Sequence, residues 1–221
     1  MAIELDGTQA RVLGSLMEKS WTTPDLYPLT MNGLVLACNQ KSSRDPVMTL
    51  DEAEVGRGLH ALIEKSLAGR LHEPGGRVPK FMHHGEMLVS GADDKILALL
   101  CVLLLRGPQT AGELKTRTER MHRFESVAEV ESLLQDLAAR EAPCVAKTGR
   151  RAGQKEDRWR HLFGGEAPET AEPETPLNAP IPAKTEAPGP SILERLEALE
   201  KRVAALEAKG DSPSENAPAA E

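Results

Sequence analysis

The sequence predicts a mainly helical α+β fold in which one arrangement of three helices and a β-hairpin occurs twice. Only six of the 221 residues are Trp, Tyr or Phe, so the core must rely on Leu, Val, Ala and Met, a composition that favours helices. The segment at residues 52–62 also reappears at residues 127–137, with identical residues at five aligned positions. Turn signals between short extended segments close each half of this repeat.

Each half follows the same order of helices. A long apolar helix is expected at about residues 7–19 and again at 93–106, and a shorter one at about residues 31–39 and 111–118. The repeated segment is the third helix of each half. Its apolar residues have helical spacing and form one core-facing stripe per helix: Val55, Leu59 and Leu62 in the first half, and Val130, Leu134 and Leu137 in the second.

Helix starts are indicated by capping boxes, in which a hydroxyl and a carboxylate satisfy backbone donors reciprocally. Three pairs have the required spacing: Thr49 with Glu52, Thr110 with Glu113, and Ser126 with Glu129.

Two extended segments around a turn follow the third helix of each half. In the first half, LAGRLHE and VPKFMHH flank PGG, and in the second half PCVAKT and DRWRHLF flank GRRAGQKE. Three helices closed by a β-hairpin are the arrangement of a winged helix-turn-helix domain. We therefore expect two such domains in tandem, at residues 1–90 and 91–165.

The composition changes after Gly165. Residues 166–190 are rich in Pro, Glu and Ala and predict a disordered linker, and residues 210–221 predict a disordered tail. Between them, residues 191–209 predict a short heptad helix that forms a homodimeric coiled coil, although fewer than three heptads leave a lone surface helix as the alternative. The expected dimer seam is Ile192, Leu196, Leu199, Val203 and Leu206.

The net charge of −7 belongs to the C-terminal segment. Up to Gly165 there are 22 Lys+Arg and 22 Asp+Glu, and beyond it 5 and 12. A neutral body neither requires nor excludes a nucleic-acid partner. The N-terminus has no signal-peptide pattern, the most apolar run (residues 96–105) is too short to span a bilayer, and the three cysteines are widely separated. We therefore expect a cytoplasmic protein with reduced thiols and no membrane partner.

Long stretches of the body resemble a known family. EKSWTTPDLYPLTMNGLVLACNQKSSRDPVMTLDEAEV, LCVLLLRGPQTAGELKTRTERMHRF and the closing RWRHLFGG are similar, in order, to the YceH-like bacterial proteins. The resemblance covers about residues 5–165 and implies two winged-helix domains in a cytoplasmic bacterial protein. It implies no activity and no site residue, because the family is functionally uncharacterised, and it does not extend to the linker and heptad segment.

No catalytic or metal-binding pattern appears in the sequence. Gly-rich phosphate loops, HExxH, GxSxG and CxxC are absent. His83 and His84 are adjacent in a predicted strand, so their side chains point to opposite faces and are poorly placed to share a metal. We expect a protein that is not an enzyme and that has no cofactor.

Basic residues cluster at hairpin and turn positions of the second half. Residues 143–165 hold six basic and two acidic residues, and strand alternation places Trp159 inward and Arg158 and Arg160 outward. Such regions of winged helices contact backbone phosphates. The candidate nucleic-acid-binding residues are Lys115, Arg117, Arg120, Arg123, Arg150, Arg151, Lys155, Arg158 and Arg160, with Arg77 and Lys80 in the first half. Lys41, Arg44 and Arg70 form a weaker first-half group.

The third helices argue against sequence reading. Both helices begin with acidic residues: Asp51, Glu52 and Glu54 in one, and Glu129 and Glu131 in the other. Recognition helices present their first residues to base edges, and the DNA phosphates there repel carboxylates. Capping and the helix dipole explain some of this charge. Two hypotheses follow, which the fold alone does not separate. One is a DNA-binding protein, regulator-like or chromosome-associated, that contacts mainly phosphates, and the other is a protein–protein interaction module.

Overall fold

The computed structural model describes residues 3–72, 78–148, 156–164 and 201. The chain separates into two units, Met1–Pro173 and Glu174–Glu221. The second unit is represented by Lys201, which is helical and exposed. The predicted linker, the five seam residues of the heptad helix and the predicted tail lie outside the described residues. A division of the first unit near residue 90 stays a prediction.

The first unit has mixed α and β structure, as expected. Its described residues form six α-helices and five strands. The helices are α1 (Gly7–Thr22), α2 (Met31–Cys38), α3 (Glu52–Glu64), α4 (Asp94–Arg106), α5 (Ala111–Thr118) and α6 (Val127–Ala138). The strands are β1 (Leu29–Thr30), β2 (Ala68–Leu71), β3 (Lys80–His83), β4 (Val145–Thr148) and β5 (Arg158–His161). All six predicted helices are present.

The order of elements is the same in both halves. Helix, short extended segment, helix, helix and antiparallel hairpin follow one another twice. In the first half β1 pairs with β3 to give the sheet order β1-β3-β2. In the second half Gln109 takes the position of β1, because its backbone N–H and C=O both pair with Trp159 of β5, at 2.9 and 2.7 Å. The predicted hairpins are confirmed.

Side-chain caps begin the third helices, with one predicted capping box misplaced. At α3, Asp51 caps the Glu54 N–H at 2.7 Å and Glu54 caps the Asp51 N–H at 2.8 Å, so the expected pair of Thr49 with Glu52 is wrong by two residues. Asp is as good an acceptor at this position as Thr, and spacing alone did not separate the two registers.

The boxes in the second half are only partly as expected. Thr110 and Glu113 form the predicted reciprocal box at α5. Ser126 caps α6, but the carboxylate of Glu129 accepts from the Glu125 N–H instead of returning to Ser126.

Helices α1 and α4 pack against each other at the centre of the unit. The contact is close because α1 has a glycine there: a Cβ on Gly14 would lie 2.9 Å from Leu105 Cδ2 and 3.3 Å from Leu104 Cβ. Residues 96–105 of α4 are all buried. Among the described residues, no helix has both the length and the apolar character needed to cross a membrane.

Two arginines lie in the core of the first half. Arg11 of α1 is 1% exposed and donates to the carbonyl oxygens of Cys38 and Pro46 at 3.1 and 2.6 Å. Arg44, which the sequence placed among weak phosphate contacts, is 5% exposed and forms an ion pair with Glu18 at 2.7 Å. That expectation is wrong, because the guanidinium points into the protein and holds the connection between α2 and α3 against α1.

Candidate nucleic-acid interface

Three of the candidate cations lie on α5 and on the turn that joins it to α6. Helix α5 ends at Thr118, whose backbone carbonyl oxygen accepts from the Met121 and His122 N–H groups at 2.7 and 2.8 Å. Phe124 is 2% exposed and anchors the turn in the core. Arg120 and Arg123 are exposed and Lys115 is half-buried, and none of the three has an ion-pair partner among the described residues.

Arg117 and Arg158 share one carboxylate. Arg158 Nη1 lies 3.0 Å from Glu113 Oε2 and also donates to the Pro108 carbonyl at 2.9 Å. Arg117 Nη2 lies 3.5 Å from Glu113 Oε1. Arg158 therefore ties β5 to the start of α5, and the Glu113 charge offsets part of the positive charge of both arginines. Sequence reasoning missed this pairing, since Glu113 was interpreted only as a capping residue.

The acidic residues at the start of α6 form ion pairs with lysines of the same chain. Glu129 accepts from Lys95 of α4 at 2.6 Å. Glu131 lies 2.7 Å from the Lys147 Nζ and accepts from the indole N–H of Trp159 at 3.1 Å, with Lys147 also 4.9 Å from the centre of the Trp159 ring. These carboxylates fasten α6 to α4 and to the hairpin.

The contacts of Glu131 with Lys147 and Trp159 lower its pKa. Burial alone would raise it, but the hydrogen bonds from Lys147 and Trp159 and the Lys147 charge together lower the pKa below its usual value. The carboxylate is therefore ionised at neutral pH and compensated by a fixed cation. The objection to DNA binding that the α6 acids raised is correspondingly weaker.

A cleft of about 430 Å³ separates the starts of α5 and α6 from the hairpin. Its charged lining residues are Glu131, Glu156, Asp157 and Lys147. Three carboxylates against one ammonium make this cleft unfavourable for a phosphate. The cations that have no ion-pair partner among the described residues lie beside the cleft, on α5 and on the turn after it.

Of the remaining candidate residues, two lie on hairpin strands and four lie outside the described residues. Arg160 is half-buried on β5 and Lys80 half-buried on β3. Phosphate contacts by Arg77, Arg150, Arg151 and Lys155 stay predictions, because those residues lie outside the described residues. In the first half, Lys41, Arg57 and Arg70 are exposed, and the acidic start of α3 holds Asp51 and Glu54 in its reciprocal cap.

His83 has a structural role that the sequence did not show. Its Nδ1 accepts from the Gly85 N–H at 3.0 Å, its Nε2 lies 3.1 Å from Ser20 Oγ, and its backbone N–H donates to Tyr27 Oη at 2.7 Å. Burial lowers the pKa of His83, so the ring is neutral at pH 7. Nε2 thus links the hairpin to α1, and Nδ1 holds the segment that follows β3. The described part of the chain contains no group of three or more His, Cys, Asp or Glu that could hold a metal ion.

Comparison with known proteins gives one consistent result. Residues 5–154 match the family described as "Protein of unknown function, DUF480". A UPF0502 protein of Citrifermentans bemidjiense is 53% identical over 168 residues, covering 75% of this chain and 76% of the relative. The UPF0502 protein YceH of Salmonella paratyphi C is 43% identical over 219 residues, covering 96% of this chain and 97% of the relative. The second alignment shows similarity beyond residue 165, where the resemblance based on sequence patterns ends. The chain therefore belongs to the UPF0502 (DUF480) family, as its resemblance to the YceH-like proteins indicated.

Proposed function

We propose that this chain is a non-enzymatic, cytoplasmic tandem winged-helix protein that binds DNA through backbone phosphates, chiefly with its second half. The element order of each half, with a short extended segment after the first helix and a hairpin after the third, is that of a winged helix and supports the assignment. In this fold the turn before the third helix and the hairpin lie beside the duplex.

The observation that carries the proposal is the difference between the cations and the acids around α6. Lys115, Arg120 and Arg123 have no ion-pair partner among the described residues, whereas the carboxylates of Glu129 and Glu131 are bound by lysines of the same chain. A phosphate that approaches α5 and the turn meets these three cations, which outnumber the two exposed acids of the turn, Glu119 and Glu125.

Backbone contact is favoured over base reading by the composition of α6. This helix, VAEVESLLQDLA, contains no Lys, Arg or Asn. Bidentate recognition of guanine uses Arg or Lys, so α6 cannot make the commonest specific base contact. The bound state is therefore dominated by counterion release, and affinity falls steeply with salt.

The proposal is tested by binding to mixed-sequence duplex DNA across a salt series. The variants are Arg120→Gln with Arg123→Gln, and Arg150→Glu with Arg151→Glu. The control is Arg57→Gln, which removes an exposed arginine of α3 that is not among the candidate residues. The slope of log K against log salt is negative, and each lost phosphate contact makes it shallower by about 0.9. Absence of binding at low salt, or equal slopes in all four proteins, would overturn it.

A protein–protein module is the second candidate, and a groove in the first half favours it. Leu26 and Leu36 are 71% and 64% exposed, and both line a groove of about 510 Å³ beside Pro28. Exposed apolar residues that share one groove are typical of protein-binding surfaces. The test is affinity purification with the native chain and with Leu26→Ser/Leu36→Ser. A partner retained by the native chain and lost by the variant, together with no DNA binding, would favour this candidate.

A further inference from the structure

A cavity of about 600 Å³ lies at the junction of the two halves. Its lining comes from the N-terminal segment, from the segment after β3, and from the segments on either side of the β4–β5 hairpin. Backbone hydrogen bonds fix these segments: the Leu5 N–H donates to the Phe163 carbonyl, and the Leu162 N–H donates to the Cys144 carbonyl at 2.9 Å. The volume falls within the range of about 300–1,000 Å³ that small-molecule sites occupy.

The wall of the cavity is mostly apolar. Ile3, Met87, Leu88, Leu162 and Phe163 all line it, with Leu88 and Phe163 7% and 6% exposed. Met87 is 58% exposed, which is unusual for a side chain that also faces a concave apolar surface. A flexible thioether at this position can adapt to the shape of an apolar ligand.

One cation with spare donors lies in this apolar lining. Arg140 Nη1 donates to the Ser90 carbonyl at 2.9 Å, and the described residues supply its guanidinium with no other hydrogen bond and no carboxylate partner. The exposed Glu141 also lines the cavity. An arginine fork suits a carboxylate, while Glu141 repels a second negative group.

We propose that this cavity binds a small monoanion with an apolar body, of the medium-chain carboxylate class. The carboxylate is held by Arg140, and the chain lies against Met87, Leu88, Leu162 and Phe163. The site is independent of the DNA proposal, since none of its lining residues belongs to the α5–α6 turn.

The experiment is calorimetric titration of the full chain with octanoate and with uncharged octan-1-ol, supported by thermal denaturation. Octanoate is expected to bind saturably with one site per chain and to raise the melting temperature, because a ligand that binds only the folded state stabilises it. Arg140→Gln removes a charged hydrogen-bond donor and should weaken octanoate binding by about ten-fold or more. In the native protein, octan-1-ol should bind more weakly than octanoate by a similar factor, because it has no carboxylate for Arg140 to bind. Arg123→Gln, an exposed arginine elsewhere, is the matched control and should leave binding unchanged.

A second variant guards against a folding defect in Arg140→Gln, whose side chain also supports the Ser90 carbonyl. Met87 is mostly exposed, so Met87→Glu leaves the core intact while placing a carboxylate in the apolar wall. It should abolish octanoate binding without lowering the melting temperature of the free protein. Octanoate that fails to bind saturably up to its solubility, or that binds Arg140→Gln and Met87→Glu as tightly as the native chain, overturns the proposal.

Discussion

Arg44 Nη2 lies 2.7 Å from Glu18 Oε2, and the two side chains are 0% and 13% exposed. The same guanidinium donates to the carbonyl oxygens of Ala37 and Ser43. The pair therefore joins α1, the end of α2 and the connection that leads to α3. The chain enters the third helix of the first half from this fixed point.

Removing Arg44 should destabilise the protein strongly. Arg44→Met keeps an apolar stem but leaves the Glu18 carboxylate buried without its partner, which costs about 3–5 kcal/mol. The measurement is the free energy of unfolding from urea denaturation. Lys41→Met, on an exposed side chain of the same connection, is the control and should change that free energy by less than about 0.5 kcal/mol. Equal effects of the two substitutions would contradict a structural role for the pair.

The same pair should make stability depend on acid pH. Burial alone would raise the pKa of Glu18, but the hydrogen bonds and charge of Arg44, with a contribution from Lys19, lower it below its usual value. Because the folded-state pKa is the lower one, the stabilisation is fully present above the unfolded-state value of about 4.3 and is lost as pH falls through the folded-state pKa. Unfolding free energies measured between pH 6 and pH 3 should fall less steeply for Glu18→Gln than for the native chain. Parallel curves would show that Glu18 contributes nothing to the acid dependence.

Two glycine-to-alanine substitutions should have opposite signs. At Gly14 the new Cβ would lie 2.9 Å from the Leu105 side chain, so overpacking of the α1–α4 contact outweighs the better helix propensity of Ala and costs about 1–2 kcal/mol. At Gly56 in α3 the nearest atom is Met31 Cε at 3.9 Å, and Ala should stabilise by about 0.5–1 kcal/mol. Melting temperatures of the two variants test both predictions. A stabilising Gly14→Ala would mean that the helices separate at little cost.

The sequence predicted those features that depend on local patterns. The apolar spacing of Val55, Leu59 and Leu62 is set by one helix, and the hairpins are set by turn residues between short extended segments. The inward position of Trp159 follows from the alternation of side chains along one strand. Each of these signals is contained within about twenty consecutive residues.

The charge pairings could not be predicted because they join distant positions. Arg44 is 26 residues from Glu18, and Arg158 is 45 residues from Glu113. A buried arginine in an ion pair and a solvated arginine look alike in a sequence. The one available signal was at Arg11, which interrupts an otherwise small and apolar stretch of α1, and it was not recognised. For the same reason, the sequence does not distinguish Arg44 from solvated arginines, or the paired acids of α6 from unpaired ones.

Arg158 should contribute less to DNA binding than Arg120. Its guanidinium is partly neutralised by Glu113, whereas Arg120 has no ion-pair partner in the described part of the chain. Arg158→Gln should therefore reduce the salt slope of DNA binding by less than the value of about 0.9 expected for Arg120→Gln. It should also lower the free energy of unfolding, by up to about 1 kcal/mol, because a partly exposed ion pair between β5 and α5 is lost. A larger slope change for Arg158 would show that DNA displaces Glu113 from it.

The heptad segment should determine the oligomeric state. In a parallel coiled coil, Arg195 and Arg202 at g positions would face Glu200 and Glu207 at e positions of the second chain. We therefore expect a dimer by light scattering. A monomer, judged against the mass of the chain used, is expected when the chain ends at Gly165 or when Leu199→Lys places a charge in the seam.

Charge exchange tests the pairing itself. Arg195→Glu with Arg202→Glu should be monomeric, since four pairs of like charges then face each other across the interface. Mixing it with Glu200→Arg/Glu207→Arg should restore a dimer that contains one chain of each variant, because the opposite charges face each other again. A truncated chain that still measures twice its own chain mass would assign the dimer contact to the first unit. A monomeric native chain would instead leave the segment as a lone surface helix.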